Sequence, residues 1–431
     1  MAEPRSVSLR VPVLARVEGE GALELDVRDG RIANLALRIF EPPRLFEKLL
    51  QGRSFDEVPD IVARICGICP VAYQMSAVHA LERLFGTPID AATRALRRLL
   101  YCGEWIESHA LHIHLLAAPD YLGLRDVIAV AKAHPQVVAR GLALQALGNE
   151  ILRTLGGRSV HPVSVRVGGF ARAPDVVALE ALYARVEAAL PEAEALLAWT
   201  ARLPLPHDEQ HFTCVALRHP DEYPMNEGRV TSDLDLDLDP ESFETRFAER
   251  QVSHSTALHA ALDGAPYLVG PLARLNLNAD RLPPPVAAAI DRVGLRLPSR
   301  NMFHSIVARA AEILLALHEA RRLLADYMAP DPAGPVTPRA GSGAWATEAP
   351  RGLLWHRYAT DATGTITSAR IVPPTSQNQA RIEADLAASL TSLGLDRDDD
   401  TLRQRAETVI RNYDPCISCA THFLTLKVAR A

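Results

Sequence analysis

The 431-residue chain is short of several features, and each shortage closes off a class of function. No uninterrupted apolar run approaches about 18 residues, so no membrane-spanning helix is expected. The opening M-A-E-P-R-S-V-S-L-R has no apolar core segment, which argues against a secretory signal and for a cytoplasmic protein. Charge of one sign is not in excess: 46 basic and 52 acidic residues leave a net charge of −6, and a dedicated nucleic-acid binder is not expected. No G-x-G-x-x-G follows a strand and there is no P-loop, so a nicotinamide or nucleotide site is not expected in this chain. No internal repeat is found. Lysine is nearly missing, with only Lys48, Lys132 and Lys427, an imbalance that fits a GC-rich genome rather than a function. Cysteine is also scarce, at six, and in a reducing cytosol these are not a disulfide framework.

What is present is ordinary globular material, 48% apolar and 23% charged, enough for a large core. Length alone suggests two or three domains. The first forty residues read as β structure over Val11–Val17, Ala22–Val27 and Ile32–Ile39, with Asp29-Gly30 as a hairpin turn. Helical patterning follows over Arg44–Leu50, Glu57–Ile65, Pro70–Phe85, the apolar Ala91–Ala117, Val176–Arg202 with Asp175 as N-cap, Met302–Met328, Ala380–Leu393 and Leu402–Asn412. Short strands are expected at Val160–Val167, Leu353–Tyr358, Thr365–Val372 and Phe423–Val428, and a Pro-rich loop at Ala329–Arg339. The alternating Asp-Leu run Asp233–Asp239 reads as an exposed strand or loop with a solvated acidic face.

Four of the six cysteines form two C-x-x-C pairs at opposite ends of the chain: R-I-C-G-I-C-P with Cys66 and Cys69, and D-P-C-I-S-C-A-T-H with Cys416 and Cys419. Such a loop presents two sulfurs to one metal, and Gly67 lets the backbone turn tightly around it. Three readings are open. A zinc ribbon would separate its pairs by roughly 15–20 residues, far less than here. A thiol–disulfide motif would need only one pair, beside a βαβ unit. A buried metal centre assembled from both chain ends accounts for both pairs and favours one cooperative unit over 1–431. Three other features carry less. His109, His112 and His114 read as core or interface histidines. His207-Asp208-Glu209-Gln210-His211 lacks the H-E-x-x-H order of a zinc protease. Cys102 and Cys214 read as buried thiols.

On these motifs the chain resembles, over essentially its whole length, the large catalytic subunit of [NiFe] hydrogenases. R-V-E-G at Arg16–Gly19, S-H-A-L-H at Ser108–His112, E-A-P-R-G at Glu348–Gly352 and I-V-P-P-T at Ile371–Thr375 complete the resemblance, in the family's order. R-V-E-G-E, I-C-G-I-C-P and V-P-P-T-S-Q-N look most like the cytoplasmic, bidirectional, NAD(P)-linked subgroup that includes the sulfhydrogenases. The resemblance implies an α+β fold, predominantly α-helical. Long buried helices would surround a metal centre, with an N-terminal antiparallel β region over 1–40 and short peripheral strands. It implies reversible heterolytic cleavage of dihydrogen into hydride and proton. Cys66 and Cys416 would bind nickel terminally, and Cys69 and Cys419 would bridge nickel to an iron that carries carbon monoxide and cyanide. Soft thiolates suit both metals. Two cyanides in a buried site call for a cationic donor, for which Arg351 is the candidate. Pro373, Pro374 and Leu354 would line the pocket of the diatomic ligands. Cys416 or Arg351 would take the proton and Glu18 would pass it outward. Glu47, His422 and a carbonyl near Arg370 would bind magnesium or another divalent ion.

The same resemblance places the rest of the machinery on other chains. Two cysteines are too few for a cubane cluster, which needs four. Electrons would therefore leave to an iron–sulfur small subunit and then to diaphorase-type flavin and iron–sulfur subunits, with NAD or NADP as acceptor. The apolar helical faces near the first cysteine pair would offer the docking surface. Nickel chaperones and a maturation endopeptidase would load the site and cut after His422, making 423–431 a maturation tail. Three positions depart from the family pattern: Tyr73 and Ser108 stand where relatives carry His and Asp, and Pro374 where a hydroxyl is usual. A hydrogen sensor with slow turnover, or a non-catalytic relative from a respiratory complex, are the alternatives. The latter usually lacks the cysteine ligands.

Overall fold

The Asp29-Gly30 pair turns the chain as its chemistry allows. Both residues take positive φ, 50° and 69°, the geometry of a two-residue hairpin. It joins strands Gly21–Arg28 and Arg31–Ile39, and Val7–Val11 adds on the other side in register Leu9↔Leu25. The computed structural model describes residues 7–331 and 333–421. His422, the Phe423–Val428 strand and the 423–431 tail lie outside them.

The first strand ends at Val11 and does not run on to Val17. Pro12 cannot donate to a ladder, and Arg16 sits in the left-handed region at φ 61°. The freed segment travels to the other end of the chain, where Glu18 makes an isolated parallel bridge with Cys416.

Helices make up about half of the described residues. Pro70–Phe85 starts directly after Cys69 and stops at Gly86, φ 68°. Its N-terminal amides are met by the buried Glu104 carboxylate, which accepts from Val71 and Ala72 at 2.6 and 3.0 Å. The expected Ala91–Ala117 helix is α-helical over Ala91–Leu111 and continues as a π turn, His112–Ala117. Pro119, just beyond, cannot supply the next α-ladder donor. Asp175 caps Val176–Thr200 by accepting from Ala178, and a 3₁₀ turn at Met302–His304 leads into Ser305–Ala325. The helix expected from Ala380 begins earlier, at Pro374.

Helix Pro135–Gly156 buries Val137, Leu144, Ile151 and Leu155 at helical spacing, and the glycines Gly141 and Gly148 fall among them. Their reason is tertiary. A Cβ on Gly148 would lie 2.6 Å from the Gly103 carbonyl oxygen and 2.6 Å from the Glu107 amide nitrogen, where this helix crosses Ala91–Leu111. Gly148→Val is therefore expected to lower the unfolding free energy by about 1–3 kcal/mol, read as a lower denaturant midpoint. An unchanged midpoint would mean that the two helices can separate without cost.

The C-terminal strands form an antiparallel meander, Gly341–Ala349, Gly352–Thr360 and Ile366–Val372. Ala349 pairs with Gly352, so Pro350-Arg351 is a two-residue hairpin tip. Two expectations are corrected. Within Val160–Val167 only Val165–Arg166 pairs, with Gly169–Phe170, because Pro162 interrupts the ladder. The apolar faces of the helices near the first cysteine pair turn inward. In helix Pro70–Phe85 only Arg83 is exposed, and near the pair it is Arg64, Gly67 and Ile68 that reach solvent. The acidic run Asp233–Asp239 is met by arginines, Arg300 on Asp233 at 2.8 Å and Arg229 on Asp237 at 2.5 Å. No described helix is long and apolar enough to cross a membrane.

Candidate metal centre

Cys66 follows a 3₁₀ turn, Ala63–Ile65, in extended conformation, and Cys69 closes the loop by donating its amide to Cys66 Sγ at 3.1 Å. At the other end Cys416 precedes the short helix Ile417–Ala420, and the Cys419 amide returns to the Cys416 carbonyl at 3.2 Å. The fold brings these loops together across 350 positions: Cys66 Sγ lies 3.7 Å from Cys416 Sγ and 2.8 Å from Cys69 Sγ. The sulfurs of Cys66, Cys69 and Cys419 all lie within 4.8 Å of one another. All four cysteines are at most 3% exposed.

Four residues hold the loops in place. Arg44 donates to the Ile65 carbonyl at 2.6 Å and also to the Ser418 carbonyl, while its amide bonds the Thr421 carbonyl. One guanidinium therefore clamps both cysteine loops. Thr375 Oγ1 accepts the Cys416 amide at 3.0 Å, so a hydroxyl reaches this position one residue after Pro374. Glu18 accepts the Ser418 amide at 3.1 Å through Oε2, and its carbonyl accepts from Ile417 at 3.0 Å. The half-buried Glu18 thus stands on the backbone of the second loop, between the cysteines and solvent. Gly19 makes this approach possible, since a Cβ there would sit 2.7 Å from Ile417 Cβ at φ 88°.

Arg351 enters from the hairpin tip, 2% exposed. Its Nε donates to the Asp414 carbonyl at 2.7 Å, one terminal nitrogen meets Asp414 Oδ1 at 3.3 Å, and the other points at Cys69 Sγ, 3.8 Å away. Burial works against its charge, but Asp414 and the cysteine sulfurs outweigh burial and hold its pKa well above the usual range. Leu354, Pro373 and Pro374 are buried on the strand and helix start that flank this tip.

The donor set has an electrostatic problem that cations would solve. Burial pushes Cys69, Cys416 and Cys419 up, away from ionisation. Burial opposes ionisation of Cys66 too, yet hydrogen bonds from Cys416, Cys419 and Cys69, with Arg351 nearby, hold it below the ordinary thiol range. Arg351, the guanidinium beside these sulfurs, is already shared with Asp414. Four thiolates against two divalent ions would balance, and thiolate softness suits nickel and iron. The residues present fit such a centre.

Other groups nearby have no role that sequence reasoning assigns. Burial pushes Glu104 and Glu107 well up; Glu107 faces Arg351, Cys66 and Asp414. The Tyr73 ring lies 5.6 Å from His356, and its buried hydroxyl has no hydrogen-bond partner among the described residues. Ser108 Oγ is likewise buried without one. Glu47 accepts the Ile371 amide at 2.7 Å, and burial pushes it up to about 7. Glu249, which bonds Ser376, is also raised to about 7 by burial, with Glu47 adding to the shift. His422, expected beside Glu47, lies outside the described residues.

The remaining candidates are core. His109 bonds Glu312 at 2.9 Å, His112 the Arg411 carbonyl at 2.7 Å, and His114 stacks on Trp199. His207–His211 is not helical. Cys102 and Cys214 are fully buried, with Cys214 raised to about 12 by burial.

The chain is similar to known proteins over most of its length. The profile of the nickel-dependent hydrogenase family matches residues 44–146 and 245–422. The chain is 32% identical to sulfhydrogenase 2 subunit alpha of Pyrococcus furiosus, over 95% of this chain and 98% of that one. It is 27% identical to the NAD-reducing hydrogenase HoxS subunit beta of Cupriavidus necator, over 97% and 95% of the two chains. Among solved structures, a NAD+-reducing [NiFe]-hydrogenase in the H2-reduced state superposes with a TM-score of 0.87 at 28% identity, covering 97% of this chain and 100% of that one.

Proposed function

We propose, from the premise that this chain belongs to the nickel-dependent hydrogenase family and is the catalytic large subunit of a [NiFe] hydrogenase, that Cys66, Cys69, Cys416 and Cys419 hold its nickel and iron. The observation that carries this reading is the convergence of four buried thiols from the two chain ends beneath one buried guanidinium. Cys66 and Cys416 would hold nickel, and Cys69 and Cys419 would serve both nickel and iron. When bound, the metal pair supplies the Lewis acidity for heterolytic cleavage of dihydrogen.

The protein's own residues then handle the proton. Arg351 commits its donors to the Asp414 carbonyl, the Asp414 carboxylate and the Cys69 sulfur. The Cys416 sulfur takes the proton, and Glu18, bridged to Cys416 through backbone and seated on the Ser418 amide, carries it toward solvent. Arg351 would instead offer donors to cyanides on iron, in a pocket completed by Leu354, Pro373 and Pro374. Glu47, with His422 and the Arg370 carbonyl, would bind magnesium or a similar divalent ion. Dihydrogen yields two protons and two electrons. Cys102 and Cys214 are solitary buried thiols, so the electrons pass to an iron–sulfur small subunit and through a flavin-bearing diaphorase to NAD or NADP. The relatives named for NAD reduction support that acceptor, and a cytoplasmic location fits it.

Infrared spectroscopy with metal analysis tests the centre. Purified protein is expected to contain nickel and iron in equal amounts and to show bands of metal-bound carbon monoxide and cyanide. Zinc in their place, with no such bands, would overturn the assignment.

A further inference from the structure

A second set of metal-ligating side chains lies outside the cysteine centre and shares no residue with it. His254, His259 and Glu383 bring their ligand atoms within 4.8 Å of one another. His254 sits in the loop before strand His259–Leu262, and Glu383 lies on helix Pro374–Leu393. We propose that these three residues form a binding site for a divalent transition ion of the zinc class, tying that loop and strand to the helix.

The distances suit an ion. His254 Nε2 is 2.8 Å from Glu383 Oε1, and His259 Nδ1 is 3.9 Å from Glu383 Oε2. A tetrahedral ion at about 2.0–2.1 Å from each ligand separates them by about 3.3 Å, between those two values. The H-x-x-x-x-H spacing falls within that of zinc-binding histidine pairs. Glu383 Oε1 also accepts the Leu37 amide at 3.0 Å, which fixes the carboxylate. Carboxylate orientation by an outer hydrogen bond is the usual support of a metal ligand.

His259 is the observation that an ion-free pair leaves without account. Its ring is 1% exposed, and Nδ1, the ring nitrogen that approaches Glu383, stands at 3.9 Å, beyond hydrogen-bond distance. A hydrogen bond between His254 and Glu383 uses nothing that His259 offers. Two imidazoles and one carboxylate select zinc-like ions over magnesium or calcium, which prefer all-oxygen sites. His254 and Glu383 side chains are 30% and 19% exposed, so an ion can enter and a water can complete its shell.

The position gives such an ion a structural effect. Thr256, between the two histidines, bonds the Ile39 and Glu41 carbonyls at the end of the N-terminal sheet. Glu383 rides on the helix whose first turn supplies Thr375 to the Cys416 amide. An ion here would fasten the N-terminal sheet to the helix that supports the second cysteine loop.

The test uses the purified holoenzyme, dialysed free of loosely held metal and then equilibrated with zinc chloride, with zinc, nickel and iron counted per chain. One zinc per chain is expected, with excess magnesium chloride failing to displace it. H254A and E383Q change partly exposed residues and are each expected to weaken zinc binding by ~10-fold or more, with nickel and iron unchanged. Equal zinc in the wild type and the H254A/E383Q double variant, or no zinc bound by the wild type, would overturn the proposal. Nickel is counted separately, so failure here leaves the hydrogenase reading intact.

Discussion

Replacing Glu18 with glutamine is expected to stop hydrogen/deuterium exchange while leaving nickel and iron in place. Glutamine keeps the side-chain length and a carbonyl oxygen, so the 3.1 Å bond from the Ser418 amide can survive. It keeps the main-chain bridge to Cys416 as well, since that bridge depends on the backbone alone. What it loses is a group that can accept and release a proton. General acid–base steps contribute about 10²–10⁴ in rate, so exchange should fall by at least ~100-fold. Glu18→Asp, shorter by one methylene but still titratable, should recover part of the rate. The measurement is isotope exchange between deuterium gas and water, with metal content determined on the same sample. Exchange within twofold of the wild type would remove Glu18 from the proton path and leave Cys416 delivering to some other group.

The second large effect is expected at Arg351, where Arg351→Lys should reduce turnover by ~10²–10³-fold with the fold retained. The guanidinium reaches three places at once: the Asp414 carbonyl, the Asp414 carboxylate and the Cys69 sulfur. Lysine carries the charge as a point on a flexible stem and cannot span them together. It can still neutralise Asp414, so stability should change little. Arg351→Met separates the two contributions. It leaves the 3% exposed Asp414 without its cation and should cost about 3–5 kcal/mol of stability as well as activity. Hydrogen oxidation assays paired with denaturant unfolding check both variants. Full activity in Arg351→Lys would show that charge alone is needed and that the fork geometry is incidental.

These two residues also show what can be read without a structure. Arg351 and Glu18 are nameable from short motifs, E-A-P-R-G and R-V-E-G, through their resemblance to those of the family. Their placement follows from features that are less visible. Arg351 reaches the centre because Ala349 pairs with Gly352 and makes Pro350-Arg351 a hairpin tip. Glu18 reaches Cys416 because Pro12 and Arg16 end a strand that alternation alone would continue. Arg44, which clamps both cysteine loops, has no signature: an arginine after Pro42-Pro43 is unremarkable until Ile65 and Ser418 carbonyls lie beside it. The same holds for Glu104, an unexceptional helix carboxylate that proves to meet the first amides of the helix after Cys69.

What the amino-acid order determined alone was therefore local or chemical: the Asp29-Gly30 hairpin, the Pro70–Phe85 helix at its bounds, the Asp175 cap, and the four sulfur donors with the metals they suit. Each depends on a residue's own backbone preference or its own atoms. Tertiary structure decided which distant groups share space: Gly19 against Ile417, Gly148 against Gly103, Thr375 on the Cys416 amide, and His259 turned toward Glu383. Those contacts arise from burial and close packing of segments far apart in the chain. Both forces act between surfaces that exist only after the helices and strands have formed, so no local pattern encodes them.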